Sequence, residues 1–105
     1  MIDPEQIQTN RRRGIVLKLI RQTHERQLNR LDDFEVWCMM QDLGARMSQR
    51  QVMTMLQDLQ VLGYVTFDQT FDEENERNVA KKIVLTAAGL GITTRRKNTE
   101  EVIFD

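Results

Sequence analysis

Apolar positions along the chain fall into three helical stretches followed by two short extended ones. Ile15, Val16, Leu19, Ile20 and Thr23 recur at the 3.6-residue period of one helix face, with Arg11, Lys18, Arg21 and Glu25 largely elsewhere. Asp3 is placed to cap this helix, Pro4 suits its first turn, and Ile2 and Ile7 are spaced to clasp across the cap. Gly14 and the polar run Gln8-Thr9-Asn10 leave open whether this is one long helix or two pieces. Leu17, His24 and Leu28 make a second, opposite stripe, suited either to packing within the chain or to a partner seam.

A second helix is predicted from Asp32 or Asp33 to Leu43, because either aspartate can cap it and acids in a first turn suit the helix dipole. Phe34, Trp37, Cys38 and Gln41 share one face, which makes Trp37 and Cys38 core candidates, and Gly44 follows as a helix-ending residue. After a short turn, Ser48 and Gln51 form a capping-box pair. Val52, Met55, Leu56 and Leu59 then stack on one face, while Arg50, Met53, Thr54 and Gln57 project from the other, and Gly63 closes the helix. Tyr64-Val65-Thr66-Phe67 switches to β-branched and aromatic residues, the composition of a strand. Residues 68–78 are polar and acidic, and 79–86 read as a second strand, giving a hairpin with a long tip. Thr86-Ala87-Ala88-Gly89 starts a short last helix, and Arg95-Arg96-Lys97 opens a tail ending in Val102-Ile103-Phe104, read as either disordered or docked on a neighbour.

The chain has 105 residues, 40% hydrophobic and 30% charged, enough for one core and typical of a soluble globular domain. No apolar run is long enough to span a bilayer, and the opening MIDPEQIQTNRRR lacks the apolar core of a secretory leader, so a cytoplasmic protein is expected. A lone cysteine, Cys38, and a lone histidine, His24, provide neither an internal disulfide nor a zinc site. With no phosphate-binding glycine loop and no recognisable nucleophile–base pair, neither an enzyme nor a cofactor or metal is expected.

The net charge is −1, from 15 Lys and Arg against 16 Asp and Glu, but the distribution is uneven. Between positions 11 and 50 lie nine bases (Arg11, Arg12, Arg13, Lys18, Arg21, Arg26, Arg30, Arg46, Arg50) against five acids (Glu25, Asp32, Asp33, Glu35, Asp42). Asp68, Asp72, Glu73, Glu74 and Glu76 follow with no base among them. A chain with separated charge can present a basic face despite a balanced total.

Helix, helix, short turn, capped helix, strand, hairpin tip, strand, short helix is the order of a winged helix-turn-helix, mainly α with a small β-hairpin. The resemblance to bacterial winged-helix regulators covers roughly residues 11–95. It is carried most specifically by Leu62-Gly63-Tyr64-Val65-Thr66 and by Ile83-Val84-Leu85-Thr86 before Gly89. More narrowly, the chain resembles small winged-helix proteins of Mu-like phages and prophages. The shared features are Arg12-Arg13 followed by Val16-Leu17, the turn Leu43-Gly44-Ala45-Arg46-Met47-Ser48, and the basic tail. The implied organisation is a single domain over 1–95, with the helix-turn-helix at 32–62, the wing at 64–86 and the last helix at 87–95, then a tail over 96–105.

The resemblance implies a DNA-binding transcriptional regulator whose capped third helix lies in the major groove. Its readers would be Gln49, Arg50, Met53, Thr54 and Gln57, since Arg pairs bidentately with guanine and Gln with adenine. Main-chain N–H groups at Ser48 and after it suit a phosphate, as do Arg46, Arg11, Arg12, Arg13, Lys81 and Lys82. A homodimer is expected, because one such domain covers one half-site, through Leu17, His24 and Leu28 or through the C-terminal segment. Against this stand Asp58 on the same helix and the acidic hairpin tip, which repel a phosphate backbone. They keep open a second reading, a protein-interaction or assembly adaptor that uses the acidic wing.

Overall fold

The computed structural model describes residues 3–25, 31–95 and 99–104. Ile2, Leu28, Arg96 and Lys97 lie outside them. Helix α1 runs Pro4–Glu25, α2 Asp33–Asp42 and α3 Gln49–Val61; strands β1 (Val65–Asp72) and β2 (Arg77–Leu85) form an antiparallel hairpin, and α4 spans Ala87–Thr93. Among the described residues no helix is long and apolar enough to cross a membrane.

α1 is one continuous helix, started by the Asp3 carboxylate accepting from the Glu5 N–H at 3.0 Å. It sits in the middle of the fold, against α2, α4 and β2. Val16 and Ile20 are buried as the periodicity predicts, but so is Leu17, at 0% exposure. The second stripe is therefore corrected: Leu17 belongs to the chain's own core, because α1 is covered on more than one side, while His24 stays exposed.

Asp32, rather than Asp33, caps α2, its carboxylate accepting from the Glu35 N–H at 2.8 Å. That phase turns Val36 and Met40 into the core and leaves Phe34 on the surface. Trp37 and Cys38 are half-buried rather than central. Trp37 lies 5.8 Å from the Phe34 ring, and its indole N–H donates to the Met47 carbonyl at 2.6 Å.

The hairpin is more regular than its composition suggests. Pairing runs from Val65 opposite Leu85 to Asp72 opposite Arg77, so the polar stretch read as a ten-residue tip is mostly strand, closed by a four-residue turn over 73–76. Past the core, pairing continues without side chains to bury, so alternation vanishes while the backbone ladder does not. A bulge sets Phe67 opposite Lys82 and Ile83, with Lys82 at φ 55°. The proximal residues Val65, Phe67, Ala80 and Ile83 are buried, and the Ile83 N–H donates to the Leu31 carbonyl at 3.0 Å. α4 is capped by Thr86, whose hydroxyl accepts from the Gly89 N–H at 3.0 Å.

The C-terminal segment docks on α1 of its own chain. The Ile103 N–H donates to the Asn10 carbonyl at 3.0 Å, and the Asn10 side-chain amide donates to the Glu100 carbonyl at 3.0 Å. Val102 is buried, and Phe104 lies 5.7 Å beneath the Lys18 ammonium. This corrects the reading of the tail as disordered: residues 99–104 pack on the chain's own α1. Hydroxyls of Thr99 and Tyr64 donate to the Glu101 carboxylate and hold its pKa below the ordinary value. Gly14 permits this docking, since a Cβ there would run into the Ile103 carbonyl oxygen. Gly14→Ala is expected to undock 99–104, seen as faster amide exchange at Ile103. In a chain truncated after residue 98 the same change is expected to stabilise the protein by about 0.5–1 kcal/mol, because helix propensity alone then acts.

Candidate nucleic-acid interface

The turn from α2 to α3 spans 43–48, with Gly44 at φ +77°, a conformation L side chains rarely adopt. Met47 is buried, and its N–H donates to the Gln41 side-chain oxygen at 3.2 Å. α3 then opens with the predicted capping box: the Gln51 N–H donates to the Ser48 hydroxyl at 3.0 Å, and the Ser48 N–H donates to the Gln51 side-chain oxygen at 2.8 Å.

Val52, Met55, Leu56 and Leu59 are buried, as their spacing predicts. The outer face is less uniform. Arg50 and Thr54 are exposed, whereas Gln49 and Gln57 are half-buried. Met53 is only 6% exposed, which corrects its placement as an outward residue: it forms the floor of a groove because the hairpin rises beside it. Gln57 also faces the hairpin, its amide donating to the Gln69 side-chain oxygen at 3.1 Å. The groove between α3 and the hairpin encloses about 370 Å³. Gln49, Arg50, Met53, Thr54 and Gln57 make one wall, with Phe71, Asn75, Glu76 and Arg77 on the other.

The remaining basic candidates separate into three places. Arg11, Arg12 and Arg46 line a second open hollow of about 360 Å³ between α1 and the turn, together with Ile15 and Gly44. There the Arg12 guanidinium donates to the Arg46 carbonyl at 3.4 Å. Arg13 does not join them: its side chain is 14% exposed, donates to the Glu101 carbonyl at 3.2 Å and lies 3.9 Å from Asp58. Arg13 is thus occupied in tying the tail to α1 and α3. Lys81 and Lys82 are exposed at the base of the hairpin, away from the groove lining, with Lys82 3.9 Å from Asp68.

The hairpin tip is acidic in space as well as in sequence, carrying Asp72, Glu73, Glu74 and Glu76. A side-chain hydrogen bond from Asn75, at 2.7 Å, is the main influence that lowers the Asp72 pKa, so this carboxylate is firmly ionised at neutral pH. Phe71 beside it is 59% exposed.

Sequence reasoning missed one residue of this region. Asp33 is 1% exposed, and both of its oxygens are engaged by β2: one accepts the Ala80 N–H at 3.1 Å, the other the Arg77 guanidinium at 2.9 Å. The signal available was the doubled Asp32-Asp33. Only one of the two can be the cap, and the other then points toward the core, where an acid demands a partner.

No protein-family model matches the chain, and no curated protein does. Among solved structures, it is similar to Bacillus subtilis PadR in complex with operator DNA, with a TM-score of 0.55 and 21% identity. The match covers 89% of this chain and 52% of that one, so the chain spans about half the length of that protein. The fold is a winged helix-turn-helix, mainly helical with one small hairpin as its wing.

Because Ser48 closes the capping box, Ser48→Ala is expected to lower stability by about 1 kcal/mol, measured by thermal denaturation. The loss should be local to the start of α3, visible as faster amide exchange at Gln51.

Proposed function

We propose that the protein is a DNA-binding winged-helix regulator, not an enzyme, which reads the major groove with α3. The observation that carries this reading is the exposed pair Arg50 and Thr54 on a capped helix bordering an open groove, within a winged-helix frame. The solved relative with operator DNA bound supports it. Arg50 is the principal base reader, since its guanidinium can donate two parallel hydrogen bonds to guanine. Gln49 and Thr54 flank it, and Met53 and Gln57 shape the groove rather than enter DNA. With the Ser48 and Gln51 N–H groups held in the capping box, those of Gln49 and Arg50 take a phosphate, and Arg11, Arg12 and Arg46 take others along the second hollow. Kinship with Mu-like phage and prophage regulators is proposed on Arg12-Arg13, Val16-Leu17 and the turn at 43–48.

Affinity for a labelled mixed-sequence duplex should fall as salt rises, with a log–log slope near −0.9 for each phosphate contacted. Arg50→Ala should cost about 1–3 kcal/mol on the preferred site, roughly five- to 150-fold in affinity. No association even at low salt sinks the reading. It would favour the adaptor instead, for which the exposed Phe71 amid four carboxylates is the specific argument.

Action as a homodimer belongs to the same proposal, because paired half-sites need paired readers. Leu17, at 0% exposure in the chain's own core, is not part of the pairing surface. Sedimentation at high concentration should show a species of twice the 12.4 kDa chain mass; a lone 12.4 kDa species removes the paired form.

A further inference from the structure

Winged helices commonly add affinity by laying cations of the wing on the sugar-phosphate backbone. Between positions 68 and 80 this hairpin has a single Lys or Arg, Arg77. That one cation is turned away from the tip. Its guanidinium donates at 2.9 Å to Asp33, whose carboxylate is 1% exposed and whose other oxygen is filled by the Ala80 N–H. Asp72 stands opposite Arg77 in the strand ladder and adds a second negative neighbour. A phosphate approaching the groove would compete for Arg77 with a carboxylate that has almost no water to fall back on, and would meet a guanidinium whose charge is already neutralised.

We propose that Asp33 is a positioning residue that sets sequence-independent affinity: by sequestering Arg77 it withholds the wing's distal cation from phosphate, so that this part of the wing adds little attraction for duplexes at large. The inference rests on the DNA-binding reading above. Sequence-independent affinity scales with the number of phosphates neutralised, so a wing whose distal cation is withheld lowers binding to every sequence alike. Contacts from Arg50 are untouched, so the ratio of preferred to random binding stays where α3 sets it. The Asp33 clamp also fixes the wall of the groove that faces Arg50, because Arg77 is part of that wall.

The test compares two duplexes, one recovered from a random pool by the wild-type protein and one of scrambled sequence, across a salt series. Asp33→Asn keeps an acceptor for the Ala80 N–H but frees Arg77. Its affinity for both duplexes is expected to rise roughly five- to tenfold near ~0.1 M salt, with the slope steeper by about one and the preference between them unchanged. Adding Arg77→Gln to that variant should return both values to those of the wild type. Arg77→Gln alone should leave the salt slope unchanged, even where the stranded Asp33 carboxylate lowers affinity or stability, and the slope decides the matter if Asp33→Asn does not fold.

Equal weakening of both duplexes by Asp33→Asn would mean that Asp33 merely holds the fold, and would overturn the inference. So would a slope reduced by about one in Arg77→Gln, which would place Arg77 on a phosphate already. If the wild type binds no duplex while Asp33→Asn binds the scrambled one, sequestration stands and α3 readout falls. If neither binds, both fall.

Discussion

The direction of α3 hangs on one residue, Met47. Its N–H donates to Gln41, its carbonyl accepts from Trp37, and its side chain is buried. A turn that dips below the surface must satisfy its backbone groups, and here both partners are side chains of α2. The helix that precedes the turn therefore sets where the next one begins. Gly44 supplies the positive φ that the reversal needs, and Ser48 caps α3 by accepting the Gln51 N–H. Moving Met47 would redirect Arg50 and Thr54 together, because both are rigidly carried by the same helix.

The wing is held in a different way. Its near half is anchored by Val65, Phe67, Ala80 and Ile83 in the core, but its far half has no apolar support. Polar contacts position it: Asp33 from α2, reaching Arg77 and Ala80, and Gln57 from α3, reaching Gln69. These contacts are unequal in weight. Removing one partner of a buried ion pair costs about 3–5 kcal/mol, since the other charge is left stranded. The exposed Lys82–Asp68 pair, 3.9 Å apart, contributes at most about 1 kcal/mol. Charges on a single hairpin thus do separate jobs, some fixing its place and others setting the potential at its tip.

α1 explains why so short a chain can hold this arrangement. It buries Val16, Leu17 and Ile20 in the core, and its Asn10–Gly14 stretch is roofed by the 99–104 segment. Arg13 joins three parts, touching Glu101 in the tail, Asp58 on α3 and Asn10 on its own helix. A basic cluster in sequence is consequently divided in space, with Arg11 and Arg12 facing an open hollow and Arg13 turned to structural use.

Local rules made much of this readable from the residues alone. Element order, the Ser48–Gln51 box, the glycine stops at 44 and 63, the Thr86 cap and the apolar face of α3 depend on neighbours within four residues, and the chain states them directly. What it could not state was which face meets which. Leu17 and Met53 look outward by period and are buried because α1 and the hairpin cover them; Asp33 looks like a spare cap and is a buried clamp. Gly14 reads as a weak point in a helix and is the clearance for a segment 89 positions later. Each of these is decided by a contact between residues far apart in sequence, and side-chain periodicity holds no information about what will pack against it.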